Sequence, residues 1–185
     1  MKMIFVRHGQ TDTNVKEKLG EAIAEDDAPL NAKGLEQAKI VASKLKNEKV
    51  DVIFSSPYRR AVQTAEEIAR FHKAPIIKLD GLKERNCSVL VGDRYHELFD
   101  FDKDIGTDDI ESVGDFFQRV YSAIEQIKSA GYHNVVVVSH GGVSHAFRAY
   151  FNNLKWQGNL RVDHLDNCDL RVYRTDNQNY PAVVK

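Results

Sequence analysis

Three strand-like segments of this sequence end in basic side chains that could bind an anion and act on it. These side chains are Arg7 and His8, Arg59 and Arg60, and His140. Guanidinium groups bind phosphoryl oxygens through paired hydrogen bonds, and a neutral imidazole is both a nucleophile and a proton carrier. A cluster of like charges is costly without a counterion. If the three segments lie side by side, their ends therefore indicate a site for an anion such as a phosphate group.

Each basic residue also has a structural explanation when it is taken alone. An Arg-His-Gly triplet arises by chance, and a histidine that ends a buried strand is more often a hydrogen-bonded core residue than a catalyst. The pair Arg59 and Arg60 is harder to explain, because a predicted helix N-terminus already carries positive partial charge. Glycines at positions 9, 141 and 142 would let backbone N–H groups approach the anion, and Thr11 and Asn14 add neutral donors on the same loop.

Hydrophobic periodicity predicts the elements that must bring these residues together. Strands are predicted over Met3–Val6, Val50–Ser56, residues 74–80, Asn134–Gly142 and residues 168–175, the last alternating and more exposed. One helix is predicted after an Asn31 cap, with Leu35, Ala38, Ala42 and Leu45 on one face. A second follows a Ser56 cap, with Pro57 at its first position and Ala61, Ala65 and Ile68 on one face. The remaining helices are Val113–Ala130 and a segment that carries Val143, Ala146, Phe147 and Tyr150.

The alternation of strands and helices predicts an α/β fold: a three-layer α/β/α sandwich around a mainly parallel sheet. We expect one catalytic domain over residues 1–185, since no linker, repeat or low-complexity stretch interrupts the chain. Ligands of such sheets bind beyond the carboxyl ends of the strands. Glu84 follows the third strand and could reach that edge. The segment Gly81–Glu111 shows no clean period and is predicted to be irregular or partly helical.

Composition limits the classes of partner. The chain of 185 residues has a formal net charge of −1, so we expect neither nucleic acid nor an anionic membrane as a partner. No apolar run is long enough to cross a bilayer, and no signal peptide is visible, so we expect a cytoplasmic protein. Cys87 and Cys168 lack metal-site spacing and are predicted to be reduced, partly buried thiols. Whether the protein is a monomer or a homodimer stays open.

Other chemistries fit the residues less well. The sequence lacks both glycine-rich nucleotide-binding patterns and the G-x-S-x-G pattern of a serine hydrolase. A metal site built from His8, His140 and His145 is disfavoured, because the neighbouring arginines would repel a cation.

Five motifs, in order, resemble those of the histidine phosphatase superfamily, also called phosphoglycerate mutase-like. They are RHGQTDTN (7–14), DAPLNAKGLEQA (27–38), SSPYRRAVQTA (55–65), LKER (82–85) and VVVVSHGG (135–142). The resemblance covers nearly the whole chain. It implies a phosphoric monoester hydrolase of the histidine acid phosphatase type.

The resemblance also implies roles for individual residues. His8 would be the nucleophile that takes up the phosphoryl group, and Glu84 would be the general acid and base. Arg7, Arg60 and His140 would complete the phosphate pocket, and the family pattern selects Arg60 over Arg59. The further substrate ligands would be Gln10, Thr11, Asn14 and Gly141. Neither a metal nor another cofactor is expected, and the substrate would be a small phosphate monoester.

Two alternatives stay open from sequence. Phosphoglycerate mutases of this family resemble longer chains, with insertions that keep water from the site, so the present length favours hydrolysis. A non-catalytic module that binds a phosphorylated ligand is the second alternative. The chain departs from the family at Leu90–Gly92, where many members carry W-E-G. Acidic stretches over Glu21–Asp27 and Asp100–Glu111, if they line the site's mouth, would disfavour polyanionic substrates.

Overall fold

The computed structural model describes residues 1–18, 27–86, 103, 106–108, 110–155 and 165–175. The strands are β1 (Lys2–Arg7), β2 (Val52–Ser55), β3 (Ile76–Lys78), β4 (Asn134–Ser139) and β5 (Leu170–Arg174). The helices are α1 (Asp12–Lys18), α2 (Ala32–Leu45), α3 (Arg59–Ala69), α4 (Val113–Ser129) and α5 (Gly141–Asn152). A short 3₁₀ turn spans Asp80–Leu82.

The strands form one sheet in the order β3-β2-β4-β1-β5. The first four in this order are parallel, and β5 is antiparallel to β1. In the centre, Lys2 pairs with Asn134 and Arg7 pairs with Ser139, so β1 and β4 start and finish at the same level. The three strands β1, β4 and β2 are therefore neighbours, as the anion-site argument required, and their carboxyl ends share one edge.

Alternate residues of the central strands enter two separate cores. Met3 and Phe5 pack with buried residues of α4 and α5, whereas Ile4 and Val6 pack with buried residues of α2 and α3. Strands that are buried on both faces need nearly continuous apolar sequence, which explains the runs in β1 and β4. This arrangement confirms the three-layer α/β/α fold.

The helix starts agree only in part with the sequence-based prediction. Asn31 caps α2, because its Oδ1 accepts the Gly34 N–H at 2.9 Å. Leu35, predicted for the buried face, is 37% exposed, and Val41 is buried in that helix instead. The helix α3 starts at Arg59, with Tyr58 at the N-cap and no side-chain cap. The predictions of Ser56 as the cap and Pro57 as the first helical residue are therefore wrong.

Other strand boundaries and one environment also differ from the prediction, and β3 is shorter than the predicted run 74–80. The runs Val50–Ser56 and Asn134–Gly142 were expected to be strands over their whole length, but β2 and β4 are shorter, and α5 already starts at Gly141. The last strand is not the exposed one that its alternation suggested. In β5, Arg171 and Tyr173 are buried, and the Tyr173 ring stacks on Phe151 with centroids 4.5 Å apart.

Some predictions fall outside the described residues. These are Cys87, the segment Leu90–Gly92, most of the first acidic stretch and half of the second. Cys168 is a free, half-buried thiol, as predicted, and burial raises its pKa to about 12. Of the expected irregular segment, only its start and its end are described, and the start includes the 3₁₀ turn. Within the described ranges, no helix has the length and apolar character needed to cross a membrane.

Candidate active site

The two histidines reach one site because their strands are hydrogen-bonded neighbours. His8 follows β1 and His140 follows β4, and the backbone N–H of His8 donates to the Ser139 carbonyl at 2.9 Å, which extends the ladder. The two imidazole rings lie with centroids 5.1 Å apart at 64°. Both side chains are buried. The parallel pairing of the strands therefore fixes the separation of the two rings.

His8 is held as a neutral imidazole of defined orientation. Its Nδ1 lies 2.7 Å from the carbonyl oxygen of Gly9, which can only accept, so the ring proton is on Nδ1. The lone pair on Nε2 is then available for attack. Burial is the main cause of a His8 pKa well below the usual value, and the positive charges of Arg60 and Arg7 add to it.

A close backbone approach fixes the residue after His8. A Cβ at Gly9 would overlap the carbonyl oxygen of Gly34, and a Cβ at Gly34 would overlap the backbone of Gln10. The Gly9 N–H donates to Thr64 Oγ1 at 3.1 Å. The prediction that this N–H is presented to an anion is therefore wrong, because the Thr64 hydroxyl already accepts its hydrogen bond.

Arg60, rather than Arg59, joins the histidines. Its Nε–H donates to His140 Nδ1 at 3.3 Å, whereas Arg59 is exposed. Because His140 Nδ1 accepts, the ring proton is on Nε2 and is donated to Ser56 Oγ at 2.8 Å. Burial lowers the pKa of His140 well below its usual value, and the Arg60 charge lowers it further. The ring of Tyr58 packs against both groups, 5.4 Å from the His140 ring and 4.8 Å from the Arg60 guanidinium.

A loop near the end of the chain holds the nucleophile strand. The Cys168 N–H donates to the Arg7 and His8 carbonyls at 3.0 and 3.3 Å, from a backbone with φ of 62°. Asn167 Nδ2 donates to the His8 carbonyl at 3.0 Å and to Asn14 Oδ1 at 3.2 Å. Arg7 Nη1 donates to the Leu165 carbonyl at 2.7 Å. This loop therefore positions both Arg7 and His8.

Glu84 reaches the same site from the other side. Its Oε2 accepts the Gly142 N–H at 2.9 Å, and its Oε1 accepts the Arg85 N–H at 3.1 Å. Burial raises the pKa of Glu84, while those two N–H groups and the charges of Arg60 and Arg7 oppose the rise. A Cβ at Gly142 would overlap Glu84 Oε1, so this glycine makes room for the carboxyl group. Gly142 was predicted to face an anion, but its N–H binds the acid instead.

The neutral donors predicted on the first loop form a helix cap. Thr11 Oγ1 accepts the Asn14 N–H at 3.1 Å, and Asn14 Oδ1 accepts the Thr11 N–H at 3.2 Å. This reciprocal pair starts α1, a helix that was not predicted. Gln10 Oε1 accepts from Asn31 Nδ2 at 3.3 Å. Gly141 is the first residue of α5, where the backbone N–H has no partner within the helix.

Among the described residues, no three side chains of His, Cys, Asp or Glu are arranged to hold a metal ion. His145, which completed the rejected metal set, is a buried residue of α5. The positive charges of Arg60 and Arg7 lower the pKa of both His8 and His140.

Residues 3–184 match the family model of the histidine phosphatase superfamily, branch 1. The chain belongs to this superfamily. It is 33% identical to "Uncharacterized phosphatase PhoE" of Bacillus subtilis over 144 residues, which cover 77% of the chain and 72% of that protein. It is 31% identical to "Phosphoserine phosphatase 1" of Hydrogenobacter thermophilus, over 76% of the chain and 71% of that protein. Membership supports an enzyme that hydrolyses phosphate esters.

A solved structure has the same architecture. The structure titled "Bacillus stearothermophilus YhfR" superposes with a TM-score of 0.82 over 100% of this chain and 96% of that one, at 22% identity. This similarity confirms the fold of the superfamily.

Sequence analysis missed several residues of the site. Ser56 was assigned to a helix cap, although it is the partner of His140, and its position beside Pro57 gave no signal for that contact. The contact of Asn167 with the His8 carbonyl joins residues 159 positions apart, so local patterns could not indicate it.

Proposed function

We propose that this histidine phosphatase hydrolyses a small phosphate monoester through a phosphohistidine intermediate on His8, with Glu84 as the proton donor. The observation that carries the proposal is the Nδ1–H···O=C hydrogen bond from His8 to Gly9, at 2.7 Å. It leaves Nε2 unprotonated in a pocket where arginine charges act on the ring. A neutral nucleophile beside fixed positive charge suits attack on a phosphate dianion.

In the first step, the Nε2 lone pair of His8 attacks phosphorus and the ester P–O bond breaks. Glu84 donates its proton to the departing alkoxide. The raised pKa of this carboxyl group supports the role, because burial favours the protonated form. Arg7 and Arg60 hold the equatorial oxygens as their charge changes. His140 completes the pocket as a neutral ring, whose Nδ1 accepts from Arg60 Nε–H and so holds that guanidinium in place.

In the second step, the Glu84 carboxylate takes a proton from water, and the water oxygen attacks phosphorus. The P–N bond breaks, its electron pair returns to His8 Nε2, and inorganic phosphate leaves. Glu84 is protonated again at the end of the cycle. Guanidinium groups hold the phosphoryl oxygens in both steps, so we propose a reaction that needs neither a metal nor another cofactor.

The alcohol portion of the substrate, beyond its phosphoryl group, would lie in a cleft beside Glu84. This cleft has a volume of about 950 Å³, and Tyr58, Lys83 and Glu84 are among its lining residues. Asp108 and Glu111, from the second acidic stretch, line it too. We propose that the further ligands of the substrate are Gln10, Thr11, Asn14 and Gly141. We also propose that residues 1–185 form one catalytic domain.

The test is a phosphatase screen of phosphorylated metabolites with EDTA present, for the intact protein and for His8→Ala. We expect phosphate release from small monoesters that survives EDTA and that is lost in the variant. The control is His133→Ala, which alters an exposed histidine at the opposite end of β4. Equal activity of His8→Ala and the intact protein would contradict the proposal. Isomerisation of 3-phosphoglycerate without comparable phosphate release would replace hydrolysis by the mutase reaction.

A further inference from the structure

Arg119 of α4 anchors the chain on the N-terminal side of Glu84 through hydrogen bonds. Its Nη1 donates to the carbonyl oxygens of Gly81 and Lys83 at 3.0 and 3.1 Å. Its Nε and Nη2 donate to the two carboxylate oxygens of Glu111, both at 2.7 Å. The guanidinium also lies 5.3 Å from the centre of the Phe116 ring. One side chain thus joins a helix, the 3₁₀ turn and the residue before the acid.

Glu111 anchors the chain on the C-terminal side of Glu84 through hydrogen bonds. Its backbone N–H donates to the Asn86 carbonyl at 3.1 Å, and its Oε2 accepts the Asn86 N–H at 3.3 Å. Its carbonyl accepts from Arg85 Nε at 2.8 Å, and the Arg85 side chain is buried. The bidentate Arg119–Glu111 pair therefore connects the anchors on both sides of Glu84.

Glu84 itself is oriented by backbone groups, the N–H groups of Arg85 and Gly142. The position of its carboxyl group therefore depends on the path of the chain from Lys83 to Asn86. That path leaves the sheet after β3, a strand of three residues whose last pair is Ser55–Lys78. Its contacts with the sheet beyond that pair include the Leu79 N–H, which donates to the Ser55 carbonyl at 2.9 Å, and the Leu82 carbonyl, which accepts from Ser139 Oγ at 2.7 Å.

We propose that Arg119 and Glu111 are positioning residues that hold the Glu84 carboxyl group against the leaving-group oxygen. The inference rests on the proposed function, because it assigns the pair to the proton-transfer half of that reaction. Loss of the pair would misplace the acid, while the strand ends that carry His8 and His140 would stay in place. Misplacement of a catalytic group by about 1 Å can cost roughly 100-fold in rate.

The experiment uses two substrates that differ in their need for an acid. An aryl oxyanion leaves 4-nitrophenyl phosphate without protonation, whereas the alkoxide of 4-nitrobenzyl phosphate requires it. The quantity measured is kcat/KM, which reports the steps through phosphorylation of His8. Glu84→Gln sets the reference, and it should lower kcat/KM far more for the benzyl ester than for the phenyl ester.

For Arg119→Met we expect the same selective loss, about 10- to 100-fold for the benzyl ester and less than about threefold for the phenyl ester. Glu111→Gln should show a smaller loss of the same kind. In the Glu84→Gln background, Arg119→Met should add little, because there is no acid left to position. Lys128→Met is the matched control, since it removes an ion pair with Glu125 from the same helix.

Arg119→Lys separates position from charge. A lysine keeps the positive charge but cannot reproduce the fork that binds Glu111 and two carbonyls at once. We expect it to retain the selective loss. Full rescue by lysine, or an equal loss on both esters in folded variants, would overturn the inference. Failure of the proposed function has a different signature: the intact protein would then hydrolyse neither ester, or Glu84→Gln would show no selectivity.

Discussion

The two halves of the site are built by different means. His8 and His140 stand at the ends of adjacent central strands, where a continuous backbone ladder runs from Lys2–Asn134 to Arg7–Ser139. Glu84 stands on an irregular segment beyond the edge strand β3, and the Arg119–Glu111 ion pair anchors the chain around it. The sheet thus positions the two histidines, and the Arg119–Glu111 pair holds the chain segment that carries the proton donor.

Substitutions in the two halves should therefore impair catalysis in different ways. A defect in the pocket weakens binding of the phosphoryl group itself, so it should slow every phosphate ester to the same degree. A defect near Glu84 weakens proton transfer only, so it should slow esters with poor leaving groups. The ratio of kcat/KM for the two nitro-substituted esters measures which half has been damaged.

The largest expected effect comes from Arg60 in the pocket. Arg60→Met should lower kcat/KM by roughly 100- to 1,000-fold on both esters, because it removes charge that stabilises the phosphoryl oxygens. Arg59→Met is the matched control, since the neighbouring side chain is exposed, and it should stay within about threefold. Similar losses in the two variants would contradict the assignment of Arg60.

The next effect comes from Gly142 beside the acid. A Cβ at this position would overlap Glu84 Oε1, so Gly142→Ala should displace the carboxyl group while the helix persists. We expect a loss of about 10- to 100-fold on the benzyl ester and a far smaller loss on the phenyl ester. An unchanged ratio of the two esters would show that the acid is not held at this point.

The pH dependence of the same ratio follows from the Glu84 pKa. Burial raises this pKa, so the proton donor persists to higher pH than an exposed carboxyl group would allow. Above that pKa, kcat/KM for the benzyl ester should fall about tenfold per pH unit relative to the phenyl ester. The ratio cancels ionisation of His8 and of the substrate phosphate. Glu84→Gln should make the ratio independent of pH, and a pH-independent ratio in the intact protein would refute this role.

The smallest effect is expected for Asn167, which donates a hydrogen bond to the His8 carbonyl. Asn167→Ala removes hydrogen bonds to the His8 carbonyl and to Asn14. We expect a loss of about 1–2 kcal/mol in unfolding free energy and a loss of activity that is equal on both esters. Denaturant unfolding and kcat/KM measure the two quantities. Asn152→Ala, which removes one hydrogen bond to the Arg148 carbonyl, is the control. A loss confined to the benzyl ester would contradict the division of the site.

Much of the fold could be predicted because periodicity reports burial. The runs before His8 and His140 are apolar on both faces, and this pattern alone indicates central strands. Helix starts were predictable where a local cap decides them, as at Asn31. The start of α3 was not, because Ser56 bonds to a histidine from another strand instead of capping the helix. The same limit hid the burial of Arg171, which depends on tertiary packing.

Prediction of the active site from sequence has a similar limit. The convergence of His8, Arg60 and His140 requires their strands to be neighbours. The alternation of elements predicts a parallel sheet but not its strand order, which the structure gives. The support of Glu84 could not be inferred, because Arg119 binds the carbonyl oxygens of Lys83 and Gly81, 36 and 38 positions away, and no motif marks these contacts. Sequence patterns indicate the catalytic residues, while the contacts that orient these residues are long-range and vary in type.

The most direct test of the central claim is to trap the covalent intermediate. A radiolabelled ester would be mixed with the protein for milliseconds, quenched in alkali and mapped by peptide mass spectrometry. We predict an acid-labile, alkali-stable phosphoryl group on His8, formed and lost at rates that account for turnover, and absent from His8→Asn. Label on any other side chain, or turnover without covalent label under conditions that preserve phosphohistidine, would contradict the account.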